Sequence, residues 1–597
     1  MSRKRYKLTI HLRTDSPLHS GGVDEVADPS REGVEREVVA RRFARDAHGE
    51  PVLTGRSVKG AVRAACAQYL AELPEGDALG RQLREAERSL WGDQRGAPQN
   101  SAPLRASALT FRTVKLPQTA VKESQQGQAA QAGAQQTAGA GEAPGLPQRM
   151  GNAIDRRWGT VGDGALFAHE FLPRGHSLTL VVTAEAATET APASSAEGDA
   201  PVRAGAEQVP PMATTAQVEQ VLALIVGLFQ AERICFGGRQ GAGWGRVVLD
   251  ADHPYELRAF EPTSRAGLRA FLAEKPQAAE LPSLVDCAAP ARTRIEIEWD
   301  SPTGILVADP GLSKQEKVDR AQERRSGPQE GCDAVPAMPL RDSGGDDGPL
   351  VLPGSSVRGA LRGRASRIGR TVLANSPGPH LRSWEGEGLG VHEQLADDPA
   401  LVRDLFGTTE RRGALRVLDT LTAQLRDRPR RVTHNACDRW TGGVAEGALF
   451  CEELYDKSWN KIVLELDASW LQRAGAQALG SEARGADRAK AAFCLLGLVL
   501  AELATGTLPL GGKGTRGLGQ VEVRALHVQG LEWLGLGSAE WHLGAAAEAQ
   551  RPGQAVAREL LARLREVNKT ITANDGAREA TGWSAYLVET AQEEQHG

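Results

Sequence analysis

Gly55-Arg-Ser57-Val-Lys59-Gly60-Ala-Val-Arg63 and Gly354-Ser-Ser356-Val-Arg358-Gly359-Ala-Leu-Arg362 are one nine-residue pattern met twice in a chain of 597 residues. In each copy a Leu-x-Gly lead-in (from Leu53 and Leu352) opens a helical stretch, with Ser57 and Ser356 expected near its start as caps. The helices predicted from these starts run over 56–73 and 356–368. A pattern that returns in this way prompts a search for further repeats on either side of it.

Three more landmarks recur in the same order. A strand ending in Ser16-Pro17 is matched by one ending in Ser301-Pro302. Asn152-Ala-Ile-Asp155-Arg156 through Gly164-Ala-Leu-Phe167 matches Asn435-Ala-Cys-Asp438-Arg439 through Gly447-Ala-Leu-Phe450, with equal internal length. Gly237-Gly-Arg239-Gln-Gly-Ala-Gly243-Trp-Gly245-Arg246-Val matches Gly511-Gly-Lys513-Gly-Thr-Arg516-Gly517-Leu-Gly519-Gln-Val. A weaker fifth pair joins Leu90-Trp-Gly92 and Leu104-Arg105 to Leu405-Phe-Gly407 and Leu415-Arg416. Four collinear matches are beyond chance, and the expectation is a tandem duplication.

Between the landmarks, alternating runs at 7–12, 177–182, 294–299 and 461–466 read as half-buried strands, and 216–232 and 488–504 as apolar helices. Strands separated by helices and hairpins, twice over, predict an α+β protein with two ferredoxin-like (RRM-like) βαββαβ modules. The boundaries expected are 1–250 for the first module and 293–525 for the second, with 251–292 as linker and 526–597 as a C-terminal extension. Gln-, Ala- and Gly-rich residues at about 117–147 and Ala-, Glu- and Pro-rich residues at about 184–215 read as flexible insertions in the first module. A helix over 554–568 is expected in the tail, with no partner evident.

Composition narrows the class. A 41% apolar fraction supports packed cores, and no run approaches the roughly 18 apolar residues of a membrane span. Seven scattered cysteines without a C-x-x-C pair argue against a disulfide framework or a zinc motif and predict a cytoplasmic protein with no membrane partner. The net charge of −5 is a whole-chain sum, whereas arginines cluster beside the landmarks, as at 358–370 and 428–431.

Each landmark has a chemistry to offer. The glycine-rich segments fail the G-x-x-x-x-G-K-[ST] phosphate-loop pattern, since a strand follows rather than a helix. They still allow backbone amides close to a polyanion, with Arg239, Arg246, Lys513 and Arg516 supplying charge; a tight hairpin is the alternative. The helix starts pair free N–H groups with matched cations Lys59 and Arg358, then Arg63 and Arg362 one turn on, which points to phosphate. The Asp-Arg pairs could staple a hairpin, or Arg156 and Arg439 could reach phosphate with Trp158 or Trp440 stacking on a base.

Together these landmarks, with Leu18-His19-Ser20-Gly21-Gly22, resemble the RAMP superfamily, and within it the backbone subunits of type III CRISPR effector complexes. The resemblance covers 6–250 and 293–525 apart from the insertions, and what it implies is a cytoplasmic ribonucleoprotein subunit that holds guide RNA (crRNA), positions target RNA and contacts other effector subunits. The RNA-binding residues so implied are His19, Arg56, Ser57, Lys59, Arg63, Arg156, Arg239, Arg246, Ser355, Ser356, Arg358, Arg362, Arg439, Lys513 and Arg516. Thumb hairpins, bracketed by Leu104 and Asn152 and by Leu415 and Asn435, would wedge the guide–target duplex. In several such subunits an aspartate before the helix-start motif cuts target RNA with a divalent metal, Mg or Mn. Here Ala40 and Ala337 stand at the places where that aspartate is expected, with Asp24, Asp28 and Asp333 nearby as alternative acids. The resemblance therefore implies an RNA-guided endoribonuclease that is inactive as it stands. A non-catalytic scaffold of the same complex is an alternative. A guide-processing endoribonuclease would need a His or Tyr general base, for which only His19 and His434 adjoin a motif.

Overall fold

The computed structural model describes residues 3–27, 39–92, 106–116, 146–187, 212–273, 275, 277–309, 339–342, 348–374, 389–423, 430–455, 458–544, 551–571, 582–584 and 586–587. Alternation decides the centre of each module. In the strand Arg3–Thr14 the residues Tyr6, Leu8, Ile10 and Leu12 are buried, and in Thr293–Asp300 the residues Ile295, Ile297 and Trp299 are. The intervening residues point to the other face, as a period of two requires. Each fully buried aliphatic side chain contributes about 1.5–3 kcal/mol.

Both strands are central in antiparallel sheets. The first sheet runs Gln277–Ala278, Tyr255–Phe260, Arg3–Thr14, Ser177–Ala187, Leu109–Phe111, with Val247–Leu249 pairing the end of Arg3–Thr14. The second runs Leu415–Val417, Ile462–Leu466, Thr293–Asp300, Glu522–Gln529, Glu540–Gly544. Helices Gly55–Glu72 and Thr215–Gln230 belong to the first, Gly354–Ala374 and Glu482–Ala504 to the second. The order along the chain is strand, helix, strand, strand, helix, strand, with the last strand and the third flanking the first: a ferredoxin-like module, twice.

Several local expectations change. The cap of the first helix is Thr54, whose side chain accepts from the Ser57 amide at 3.3 Å; Ser57 sits inside the first turn. The second helix starts at Gly354, ahead of Ser356, and its Gly354 amide donates to Asp419 Oδ1 at 2.8 Å. The strand Ser177–Ala187 extends into the segment expected to be an insertion. Cys451 is disulfide-bonded, whereas Cys66, Cys235, Cys287, Cys437 and Cys494 are free thiols.

The landmark Asn152–Phe167 and its counterpart form hairpins themselves rather than following one. They are Gln148–Ile154 with Val161–Glu170, and Arg430–Cys437 with Val444–Leu454. Residues 117–145 of the first expected thumb bracket, and 424–429 of the second, lie outside the described residues.

The tail finds its partner in the second core. Helix Pro552–Lys569 lies across Glu482–Ala504, where a Cβ on Gly497 would stand 2.5 Å from Leu564 and one on Gly553 1.9 Å from Ala504 O. In the first module the segment at Val285–Cys287 covers helix Thr215–Gln230 in the same way, with Val285 O 2.3 Å from a Cβ on Gly227. Among the described residues no helix is long and apolar enough to cross a membrane.

Candidate functional site

Both helix starts are built alike. A Cβ on Gly55 would lie 2.2 Å from Phe111 O, and one on Gly354 2.2 Å from Val417 O, so only glycine lets each helix close onto its neighbouring strand. The second glycines, Gly60 and Gly359, are exposed and would meet nothing within 4 Å. A mid-helix glycine costs about 1 kcal/mol against alanine. Packing explains the first glycine of the motif and does not explain the second.

The matched cations turn inward. Lys59 Nζ donates to Trp91 O at 3.1 Å, and Arg358 donates to Phe406 O and, at 3.3 Å, to Leu415 O. Trp91 and Phe406 end the short helices Glu87–Trp91 and Ala400–Phe406, so the cations satisfy carbonyls orphaned at a helix C-terminus. Arg63 and Arg362 bind carboxylates beside those helices, Glu87 at 2.9 Å and Asp398 at 2.8 Å. Arg56, Ser57 and Ser356 remain exposed on the open face, with Ser355 half-buried.

The glycine-rich loops also share one geometry. Gly238 N donates to His19 O at 2.9 Å and Gly512 N to Leu306 O at 2.7 Å; Gly245 N donates to Pro17 O and Gly519 N to Gly304 O. Arg239 and Lys513 adopt left-handed backbone, φ 59° and 60°, each ahead of a single 3-10 turn. That conformation costs about 1–2 kcal/mol for a residue with a Cβ, so the surrounding bonds impose it.

The first module's hairpin and loop dock on the second module. Arg149 is buried and binds Asp342 at 3.1 Å and Asp419 at 2.5 Å. Arg156 pairs with buried Asp398, the acid that also holds Arg362, and its amide donates to Gln394 at 2.9 Å. A Cβ on Gly241 would touch the Arg358 guanidinium at 3.2 Å, and one on Gly243 would meet Leu418 Cα at 2.8 Å. Behind this contact Glu465 gathers Arg246, Arg292, Arg294 and Arg416.

Along the junction runs a groove of about 1450 Å³ that joins the first hairpin and loop, the second helix start and the second loop. Its lining carries eleven cations, from Arg156 to Lys513, against the two carboxylates Glu465 and Asp467. Burial pulls the Arg239 and Arg358 guanidinia down to about 10, next to Arg149 and Arg362 respectively. The described acceptors of Arg358 are the two carbonyls, and that of Arg239 is the His169 ring at 3.1 Å. Arg239 Nε is out of water without a hydrogen-bond partner among the described residues. Two half-buried cations facing neutral acceptors in a cation-lined groove make a site for an anion.

Of the residues expected to bind RNA, Ser355, Ser356, Arg358, Arg362, Arg156, Arg239 and Lys513 line this groove. Arg56, Ser57, Lys59 and Arg63 form the corresponding start in the first module, and Arg439 and Arg516 are exposed. Two residues depart from expectation. His19 is buried, with Nδ1 2.6 Å from Glu170 O, and supports the loop rather than facing solvent. Arg246 faces away from the groove and pairs with Asp15, Glu232 and Glu465. Arg292, Arg364, Arg367, Arg411, Arg412 and Arg416 are the remaining cations of the lining. Of these, Arg411, Arg412 and Arg416 were missed, although the weak fifth landmark passes beside them.

Ala40 lies in the strand Val39–Phe43, paired with Val26 on one side and Ala168 on the other, and not in a loop. Ala337, Asp333 and Asp28 lie outside the described residues. Among the described residues no group of three or more His, Cys, Asp or Glu could hold a metal ion.

The hairpin tips carry exposed tryptophans, Trp158 at 68% and Trp440 at 95%. Trp158 stacks with Arg157, 4.6 Å from the ring centroid.

The sequence model of the RAMP superfamily matches residues 11–248 and 339–522. Among solved structures, a chain of a "Type IV-B CRISPR Complex" is similar at 17% identity and a TM-score of 0.23, over 44% of this chain and 92% of that one. A likeness that weak carries no argument. No curated protein matches the chain. With both modules and all four landmark pairs except the second Ser-Pro strand inside the matched residues, over more than half its length, the chain belongs to the RAMP superfamily.

Proposed function

We propose that the chain is an RNA-binding backbone subunit of a CRISPR ribonucleoprotein, of the type III kind, built from two fused RAMP copies that hold guide RNA and position target RNA. The cation-lined groove that crosses both modules supports this reading most directly. Its exposed Ser356 and bare Gly359 leave room for a sugar–phosphate backbone, and phosphate contacts need no sequence readout when base pairing selects the target. The Trp158 and Trp440 tips are stacking platforms for bases.

The docking mode supports further subunits as partners. The first module's hairpin and loop cover the second module's helix start. The first module's own start, at Arg56, Ser57 and Gly60, and the second module's hairpin, at Trp440, are exposed. Neighbouring subunits of like fold would cover them.

The test is the RNA that co-purifies with the chain and the salt dependence of binding a single-stranded RNA. Affinity should fall with a log–log slope of about −0.7 for each phosphate neutralised. Binding that ignores salt, or no bound RNA, refutes the reading. Target cleavage rests on the family resemblance alone. Ala40→Asp with Ala337→Asp, assayed for guide-directed cutting with Mg or Mn, tests it, and no cutting leaves a scaffold.

A further inference from the structure

The two glycine-rich loops share backbone geometry but face opposite partners. Aligning the hairpins on Gly164 and Gly447 sets Phe167-Ala168-His169-Glu170 against Phe450-Cys451-Glu452-Glu453. Glu170 and Glu453 are the same residue type, and both are buried. His169 and Glu452 differ. Arg239 Nη1 lies 3.1 Å from His169 Nδ1, whereas Lys513 Nζ contacts the Glu452 carboxylate directly. Both cations start from left-handed backbone at the same place in the loop, and both line the groove.

This one exchange changes the charge of the two sites. Burial, and then Arg239, pulls the His169 imidazole down to about 3, so it is a neutral acceptor at physiological pH and brings no negative charge to the arginine, whose nearby carboxylate Asp419 is already paired with Arg149. Glu452 is buried at the second loop, and its other oxygen lies 3.5 Å from His434 Nε2. The carboxylate stands where the first loop has none.

We infer that, if the groove holds RNA as proposed above, the first loop binds a backbone phosphate at Arg239, while Glu452 occupies the corresponding place at Lys513 and excludes one there. The two grips are unequal, and Glu452 is the residue that makes them so. Exchange of the carboxylate for a neutral acceptor opens the second loop to a phosphate.

The experiment measures binding of a fluorescent single-stranded polyuridine RNA to the full-length chain across a salt series. Arg239→Gln should weaken binding about tenfold, the size of one charge-assisted contact, and reduce the salt slope by about 0.7. Glu452→Gln should steepen the slope by about 0.7. The neutral pair Lys513→Gln with Glu452→Gln should leave the slope as in the parent, and it keeps the comparison with Arg239→Gln available if either single change at the second loop unfolds the chain. Thermal unfolding of each variant checks folding. Equal loss of slope from Arg239→Gln and from the neutral pair overturns the inference, as does an unchanged slope in folded Glu452→Gln, even though RNA binding stands. Absence of salt-dependent binding in the parent chain instead overturns the RNA reading itself.

Discussion

Replacing Arg149 by methionine tests how the two modules are held together. Arg149 reaches from the first hairpin to Asp342 at 3.1 Å and Asp419 at 2.5 Å, and all three side chains are largely out of water. Asp419 also accepts from the Gly354 amide, so it links the junction to the start of the second module's helix. Methionine keeps much of the contact with Phe171 and Trp244, whose rings lie 5.1 and 5.3 Å from the guanidinium, but leaves two buried carboxylates without their cation. Removing one partner of a buried ion pair costs about 3–5 kcal/mol. Neutralising the whole group, as Arg149→Met with Asp342→Asn and Asp419→Asn, removes the unpaired charges and keeps an acceptor for Gly354. Most of the loss should then return, because desolvation of the ions offsets much of their attraction. The assay is urea unfolding followed by tryptophan fluorescence, since Trp244 lies at the junction and Trp299, Trp459, Trp533 and Trp541 report on the second core. An Arg149→Met variant within about 0.5 kcal/mol of the parent, the range of ordinary surface changes, refutes the argument. A triple variant no better than the single one refutes the charge explanation.

Other outcomes follow from the same geometry. Gly55→Ala and Gly354→Ala should each destabilise by about 1–3 kcal/mol through overpacking, whereas Gly60→Ala and Gly359→Ala, with open space around them, should stabilise by about 0.5–1 kcal/mol; chemical denaturation reads both. His169 is held below its ordinary value of 6.5, at about 3, by burial and then Arg239, so below pH 6.5 the unfolded chain takes up a proton that the folded chain refuses. Its share of stability is therefore complete above pH 6.5 and falls as the pH drops from there towards 3, by about 1.4 kcal/mol per pH unit at full slope. His169→Gln should flatten that part of the profile, and an unchanged slope counts against it. Trp440→Ala should leave stability within about 0.5 kcal/mol while weakening RNA binding by about 1–3 kcal/mol, the size of one base stacked on an aromatic ring, as read by fluorescence anisotropy.

Much of the fold is legible along the chain because it is written in local rules. Alternation in 7–12 and 294–299 locates the central strands, apolar runs locate the second helices, and the recurrent motifs set strand, helix and loop in the same order twice. The glycine-rich motif also announces its loop, since a Cβ on Gly245 would lie 2.1 Å from Phe236 O and one on Gly519 2.0 Å from Leu510 O. The caps were less legible. Thr54 and Asp419 satisfy the helix starts, one from the residue before the helix and the other from a loop 65 residues away.

What the sequence determined by itself is therefore the pair of repeated motifs: glycines that a close backbone contact needs, and cations matched beside them. Where each cation points was decided by tertiary structure. Lys59 and Arg358 look alike as phosphate ligands in sequence, yet each meets the end of a short helix, at Trp91 and Phe406. In sequence Arg156 offered a hairpin staple or a phosphate contact and Arg246 a charge beside the glycine-rich loop, yet each binds a carboxylate of the other module, Asp398 and Glu465, more than 200 residues away. Charge is a property of the residue type, but its compensation depends on what the folded chain brings within a few ångströms. That is why Arg239, beside a neutral imidazole, and Lys513, beside a carboxylate, carry the same motif and differ in their chemistry.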